Sequence, residues 1–340
     1  MSDTSRHLTY FKVENFKRFE SFEMDNLGQF NLIVGDNNVG KTSVLEALLA
    51  CKPAWIFKNT FSELLKYKNS QPDLIIGDFI SFLNRNKTNS TRVSIRFHLG
   101  FDKTVDEVDL IFEKVINSIS FMTVGEEPLS ESYDHQINSN SNAIIPFIPF
   151  YKGYDTDLVD FYPKLQESRI LKENFTQALR VLIDSIINID LSLHKNMRTG
   201  SVIPYPIIYQ NHVDYSIPLS SFGDGTIKLF RIIAWIVMHP GQRIMIDEID
   251  AGIHYSRMKE FWKVILKAAK DNDVQLFMTT HNIECIRYFS EILEEELQDF
   301  QTLSRGISLV ENSKTKQVTA HTYPYDQLQH AINVGNEIRA

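Results

Sequence analysis

The sequence predicts an α/β fold, and three kinds of segment carry that prediction. Phe30-Asn31-Leu32-Ile33-Val34 is an apolar run that stops at a glycine, and strong helix formers follow from Thr42 to Ala50. Ile244-Met245-Ile246 and Leu276-Phe277-Met278 are two further short apolar runs, each ending in polar residues. Short runs of this kind read as strands buried on both faces of a parallel sheet. From Arg92 to Val124 the texture changes to alternation, with Val93, Ile95 and Phe97, then Val108, Leu110 and Phe112, then Ile119 and Phe121. That pattern reads as a three-stranded antiparallel β meander.

The remaining elements follow in chain order. Leu8 to Val13 reads as a strand and Phe19 to Met24 as its hairpin partner. Leu64, Leu65, Phe79, Phe82 and Leu83 suggest short helices around the Gln71-Pro72 break. Ser130 to Asn142 is polar and asparagine-rich, which predicts a loop. Asp155 to Leu193 reads as a helical insertion, because Phe175, Leu179, Leu182, Ile183 and Ile186 share one helix face. Strands are expected at Ile203 to Ile208 and Val213 to Ile217, and a buried helix at Ile227 to Met238. Arg257 to Lys270 and Ile283 to Asp299 read as helices, and Ile307 to Val310 with Val318 to Thr322 as a closing hairpin. The division expected is residues 1–125 and 201–340 as two parts of one α/β head, with 126–200 as loop and helical insertion.

Composition narrows the function classes. The chain is 43% hydrophobic and 23% charged, which fits a soluble globular protein rather than a disordered or membrane one. Its net charge of −8 lacks the global basic signal of a nucleic-acid binder and leaves only a local basic patch to serve that role. Such cations are scattered: Arg85, Lys87 and Arg92, with Lys195 and Arg198 in the insertion. Cys51 and Cys285 are too few for a metal cluster or a disulfide framework, and read as reduced thiols of a cytoplasmic protein. Met1 to His7 is polar and unlike a signal peptide, and the longest apolar run, Leu229 to Met238, is short and broken by Arg231.

The strongest chemical signal is Gly35-Asp36-Asn37-Asn38-Val39-Gly40-Lys41-Thr42, a full match to G-x-x-x-x-G-K-[ST] between a strand and a helix. The glycines let backbone N–H groups turn toward phosphates, and the helix N-terminus offers its positive end to the same anion. Lys41 supplies a point charge to the β- and γ-phosphates of ATP, and the Thr42 hydroxyl is placed to ligate Mg²⁺. The second signal is Asp247-Glu248 at the end of an apolar strand. Asp247 can hold Mg²⁺ through water, and Glu248 can orient or deprotonate the attacking water. The third is Thr279-Thr280-His281-Asn282, reached from Asp247 across one helix and one strand. That spacing places His281 at the carboxyl end of the neighbouring strand, where it can sense the γ-phosphate. The fourth, Leu219 to Thr226, reads by itself as a polar turn capping the next helix.

In this order the four elements resemble the ABC-type ATPases of DNA maintenance. That group includes RecF and the heads of the structural-maintenance-of-chromosomes (SMC) proteins. The likeness is greatest to the ATPase module of the "overcoming lysogenization defect" (OLD) nucleases and to stand-alone bacterial AAA family ATPases related to them. Phe11-Lys12-Val13-Glu14-Asn15-Phe16-Lys17-Arg18-Phe19 is similar to that group's first strand and turn. The resemblance covers about residues 1–50 and 200–340 and implies an ABC-ATPase-like P-loop fold. It implies that Arg18 and Ser43 join the phosphate loop at the nucleotide. It also implies that Ser221 and Gly223 match the signature segment, which reaches across a homodimer to the partner's nucleotide. Phe222 and Asp224 depart from the common Ser-Gly-Gly-Gln form. The glutamine loop has only Gln71 and Gln136 as candidates, and the aspartate loop only Asp250. The chain ends too soon after its closing hairpin for the metal-dependent nuclease domain of an OLD protein, so a nuclease effector is expected to be a separate protein.

The function expected is an ATP-binding and ATP-hydrolysing subunit, with ATP and Mg²⁺ as cofactors, in a genome-defence or DNA-maintenance system. Two other readings stand beside it: a RecF-like ATP-dependent DNA binder, and a regulatory module that holds ATP without turnover. Glu248 argues against the last.

Overall fold

The structure is a computed structural model, and it describes residues 7–51, 56, 60, 64, 92–102, 104–115, 118–123, 144–149, 161–195, 200 and 202–334. Its centre is a six-stranded sheet built from β3 (Phe30–Gly35), β7 (Phe147–Ile148), β11 (Arg243–Ile246), β12 (Gln275–Thr279), β13 (Ser304–Glu311) and β14 (Val318–Pro324). The order across the sheet is β14-β13-β3-β12-β11-β7. Every pairing is parallel except that of β13 with β14.

Burial explains the composition of these strands. Every residue of β3 and β12 is buried. Leu32, Val34, Ile244, Ile246, Leu276 and Met278 share one core with the helices α4 (Asp224–Met238), α5 (Met258–Asp271) and α6 (Ile283–Glu295). Ile33, Met245, Phe277, Ile307 and Leu309 face the other way, into a core shared with α1 (Lys41–Ala47) and a second sheet. A strand sandwiched in this manner has no polar face, so it reads as a continuous apolar run.

The second sheet contains the meander. Strands β1 (Tyr10–Phe16), β2 (Phe19–Met24), β4 (Arg92–Gly100), β5 (Val105–Val115) and β6 (Ser118–Thr123) lie in the order β2-β1-β4-β5-β6, antiparallel throughout. The opening hairpin and the meander therefore form one five-stranded sheet, a union not visible in the local alternation of either. Phe11, Val13, Phe16 and Phe97 line its inner face over α1.

The insertion differs from the expectation. Helices α2 (Phe161–Glu167) and α3 (Arg169–Leu179) form, but the helix stops at Leu179. Residues 186–195 are instead strand β8 (Ile186–Lys195), which pairs with β9 (Val202–Gln210), itself paired with β10 (Ile217–Pro218). Phe175, Leu179, Ile183 and Ile186 are all buried, which is why they mimic one helix face. Beyond them Ile187, Ile189, Leu191 and Leu193 are branched residues at alternate positions, and tertiary pairing selects the strand. The strand expected at Val213 to Ile217 shrinks to the two residues of β10. Helix α6 ends at Glu295 and a 3-10 segment, Gln298–Leu303, replaces its expected last turn. A final helix, α7 (Tyr325–Asn333), follows the closing hairpin. The short helices expected near residues 65–83 and the loop at 130–142 lie outside the described residues, as do Gln71, Gln136, Arg85, Lys87 and Arg198.

Buried amides tie the layers together. Gln275, 1% exposed, accepts from Leu8 N at 2.9 Å and donates to Leu8 O and Gly28 O, each at 2.8 Å. Replacing it with leucine strands the N–H and the carbonyl of Leu8, while Gly28 O keeps its bond from Asn31 Nδ2 at 2.7 Å. Gln275→Leu is expected to lower stability by about 2–4 kcal/mol, the scale of unsatisfied buried polar groups. Urea unfolding of the two proteins checks this, and equal midpoints would refute it.

Candidate functional site

The carboxyl ends of β3, β12 and β11 lie side by side because the three strands are parallel neighbours. Each delivers one polar segment to the same edge. From β3 comes the phosphate loop. Gly35 has φ +150°, Asn38 +66° and Gly40 +111°, so the loop turns through left-handed conformations that glycine and asparagine tolerate best. Asp36, Asn37 and Asn38 are exposed, whereas Val39 is 4% exposed and anchors the loop in the core. Gly40 precedes the first residue of α1, and Ser43 is half-buried in that helix's first turn. Lys41, 8% exposed, directs Nζ back over the loop and donates to Gly35 O at 2.8 Å and Asp36 O at 2.9 Å.

From β11 comes Asp247, 6% exposed, and from β12 comes Thr279, fully buried. Thr42 Oγ1 lies 3.0 Å from Asp247 Oδ2, joining the first and second motifs directly. Thr279 Oγ1 donates to Asp247 Oδ1 at 2.7 Å and accepts from Glu248 N at 2.8 Å. One hydroxyl thus orients one carboxylate and the backbone of the next residue. Thr280 donates to Asp250 Oδ1 at 2.7 Å, so β12 also braces the loop beyond Glu248. Glu248 has φ +46°, uncommon for a side chain of its size. Its Oε1 lies 3.2 Å from His281 Nδ1, and both side chains are partly exposed. The third motif therefore reaches the second on the neighbouring strand, as its spacing predicts.

Supporting contacts hold this edge. Arg18, from the turn between β1 and β2, bonds Asn38 O and the carboxylate of Glu311. That partner and Lys316, 3.3 Å away, hold the Glu311 carboxyl below the usual range. A Cβ at Gly40 would sit 3.0 Å from Arg18 Cδ and 3.1 Å from Phe19 Cζ, so the glycine also admits this turn against the loop. Lys17 pairs with Glu46, a fully buried carboxylate on α1. Arg243, at the start of β11, donates to Leu48 O at 2.8 Å and to Ala50 O, satisfying carbonyls at the end of α1.

Ser221 and Gly223 make none of the contacts above. Both are exposed before the start of α4, and nothing lies within 4 Å of where a Cβ on Gly223 would be. Local sequence reading named Thr279 within the third motif without giving it a role, and did not single out Arg243 or Lys228. Lys228 sits in the buried helix α4 at 6% exposure and donates to Asp247 O at 3.1 Å and to Glu248 O. Burial pushes its ammonium down to about 8, against the opposing pull of Asp250, Asp247 and Glu248. A lysine inside a mainly apolar helix was the available signal.

The donor set suits Mg²⁺ delivered with a nucleotide. Thr42 and Asp247 offer hard oxygen donors side by side, and Mg²⁺ needs only one or two from protein when phosphates and water supply the rest. Among the described residues no group of three His, Cys, Asp or Glu forms a self-sufficient metal site. When bound, Mg²⁺ would neutralise charge on the β- and γ-phosphates.

Known proteins resemble this chain over most of its length. Residues 7–146 match the family model described as "AAA ATPase domain", and residues 148–287 match "AAA domain, putative AbiEii toxin, Type IV TA system". A Helicobacter pylori protein described as an ATP/GTP phosphatase is 24% identical over 360 residues, spanning 94% of this chain and 96% of that protein. An Smc head bound to the C-terminal winged-helix domain of ScpA superposes with a TM-score of 0.57 at 14% identity, over 95% of this chain and 99% of that one. A Pyrococcus furiosus Smc head with an extended coiled coil, bound to the C-terminal domain of ScpA, superposes with a TM-score of 0.54 at 13% identity, over 98% of this chain and 100% of that one.

Two substitutions test the site. Lys41→Ala removes the ammonium from the loop and is expected to abolish ATP binding, measured by titration with ATP and Mg²⁺; an unchanged affinity would sink the assignment. Glu248→Gln is expected to keep ATP binding and slow turnover by about 10²-fold or more. A steady-state rate equal to the unaltered protein's would move the base elsewhere.

Proposed function

We propose that this chain, a P-loop ATPase of the type shared by RecF, the OLD ATPase modules and the SMC heads, is the nucleotide-gated subunit of a bacterial genome-defence or DNA-maintenance system. In this reading, ATP binding with Mg²⁺ draws two copies together, and the closed dimer controls a separate effector protein such as a nuclease. Glu248 is the water-orienting base and His281 the γ-phosphate sensor. Thr42 and Asp247 hold Mg²⁺, and residues 35–43 with Arg18 hold the phosphates.

The observation that carries the reading is the exposure of the signature segment beside motifs that already meet one another. Glu248 and His281 meet at 3.2 Å beside the Thr42–Asp247 pair, while Ser221 and Gly223 face outward with open space around the glycine. An exposed segment of this composition is available to the nucleotide of a second copy. The family description naming a toxin of a type IV toxin–antitoxin system supports a defence role, and heads bound to ScpA domains support a protein partner. The net charge of −8 adds no support for nucleic acid as the main partner. Among the described residues no helix is long and apolar enough to cross a membrane, and a cytoplasmic site of action fits the two buried thiols Cys51 and Cys285.

A mixing experiment tests the composite site. Turnover per subunit is expected to rise with protein concentration until dimers saturate. Ser221→Arg places a bulky cation where the partner's γ-phosphate would sit, and Lys41→Ala disables the phosphate loop. One site of the mixed dimer carries neither lesion, so activity is expected to return in part when the two inactive proteins are combined. No recovery from mixed dimers that demonstrably form, or a rate independent of concentration from a persistent monomer, would overturn the reading.

A further inference from the structure

We propose that Lys228 is a positioning residue for the hydrolytic step: its ammonium sets the backbone of Asp247 and Glu248 and ties both to α4, the helix that follows Ser221 and Gly223. The inference rests on the ATPase reading above and deepens it.

Lys228 lies in the second turn of α4, 6% exposed. An apolar side chain of the same length would fill this space without the cost of burying an ammonium. The charge is instead spent on two carbonyls, Asp247 O at 3.1 Å and Glu248 O. These belong to consecutive residues, and the second peptide is the one that follows the left-handed turn at Glu248, φ +46°. From the other side, Thr279 Oγ1 accepts the Glu248 N–H at 2.8 Å. Glu248 is therefore gripped on its N–H by β12 and on its carbonyl by α4. Its carboxylate is left free to project toward solvent and His281. A single ammonium is suited to this task because its three donors can be turned to both carbonyls at once.

A second contact makes α4 and the loop after Glu248 one unit. Gly252 has φ +80°, and a Cβ placed there would lie 2.8 Å from Gly225 N. A Cβ on Gly225 would overlap Gly252 O. Backbone meets backbone at the first turn of α4, one turn before Lys228. Displacement of α4 when a second copy engages Ser221 and Gly223 must then move the Glu248 turn with it. Lys228 makes catalytic placement in one copy responsive to contact at that copy's own signature segment.

Lys228→Met keeps the length and removes the donors. With ATP and Mg²⁺ the variant is expected to lose about 10–100-fold in kcat. Its affinity for a non-hydrolysable ATP analogue should stay within about 3-fold, because the phosphate loop is untouched. Light scattering should show analogue-driven dimers as in the unaltered protein. The decisive comparison is made in the Glu248→Gln background. If Lys228 acts through Glu248, adding Lys228→Met there lowers the residual rate by less than about 2-fold. An equal loss in both backgrounds, an unchanged kcat, or loss of dimer formation would each overturn the proposal in favour of a general structural role. Should Lys228→Met fail to fold, Lys228→Gln, neutral and too short to reach both carbonyls, carries the same comparison. Absence of ATP turnover in the unaltered protein would overturn the underlying ATPase reading, whereas full turnover in both proteins overturns the role of Lys228 alone.

Discussion

Burial of both faces of β3, β12 and β11 is the constraint from which the site follows. A strand packed on each side by apolar layers can carry polar side chains of function only where it leaves the sheet. Parallel pairing then brings those three exits to one edge. The phosphate loop, the Asp247-Glu248 pair and the Thr279-Thr280-His281 segment are distant in sequence and adjacent in space for that reason. The Thr42–Asp247 contact at 3.0 Å joins two of these exits, and Thr279 at the end of the strand between them bonds the same carboxylate.

Polar groups buried behind this edge are matched to backbone rather than to water. Arg243 takes up carbonyls at the end of α1, Gln275 joins the chain's first strand to the central sheet, and Lys228 holds the carbonyls of the Glu248 turn. Each would be costly unpaired and each ends on a main-chain oxygen. The Lys17–Glu46 pair and the Arg18 contacts to Asn38 and Glu311 extend this scheme to the opening hairpin. The hairpin thus serves as a brace for the phosphate loop as well as an edge of the second sheet.

The insertion shows how local periodicity misleads. Phe175 to Ile186 carries buried residues at helical spacing, yet the helix stops at Leu179 and a strand begins at Ile186. Ile183 and Ile186 are buried by the turn and strand start folding back on the same core, so burial persists after the helix has ended. Branched residues at alternate positions then fit a paired strand better than a crowded helix face. The closing helix α7 escaped notice for the opposite reason: Tyr325 and Leu328 are its only fully buried residues, too few to mark a face.

The sequence by itself determined the parts whose physics is local. The phosphate loop needs glycines at fixed spacing, a doubly buried strand is apolar along most of its length, and Asp247, Glu248 and His281 stand where such strands end. What the tertiary structure alone decided are relations between segments far apart in the chain. It joined the hairpin to the meander as one sheet, and it placed Thr279 between Asp247 and Glu248. It also turned Lys228 of α4 onto the turn that carries Glu248. Those outcomes depend on which backbone groups are left without partners after the layers pack, and that quantity exists only once the strands have paired.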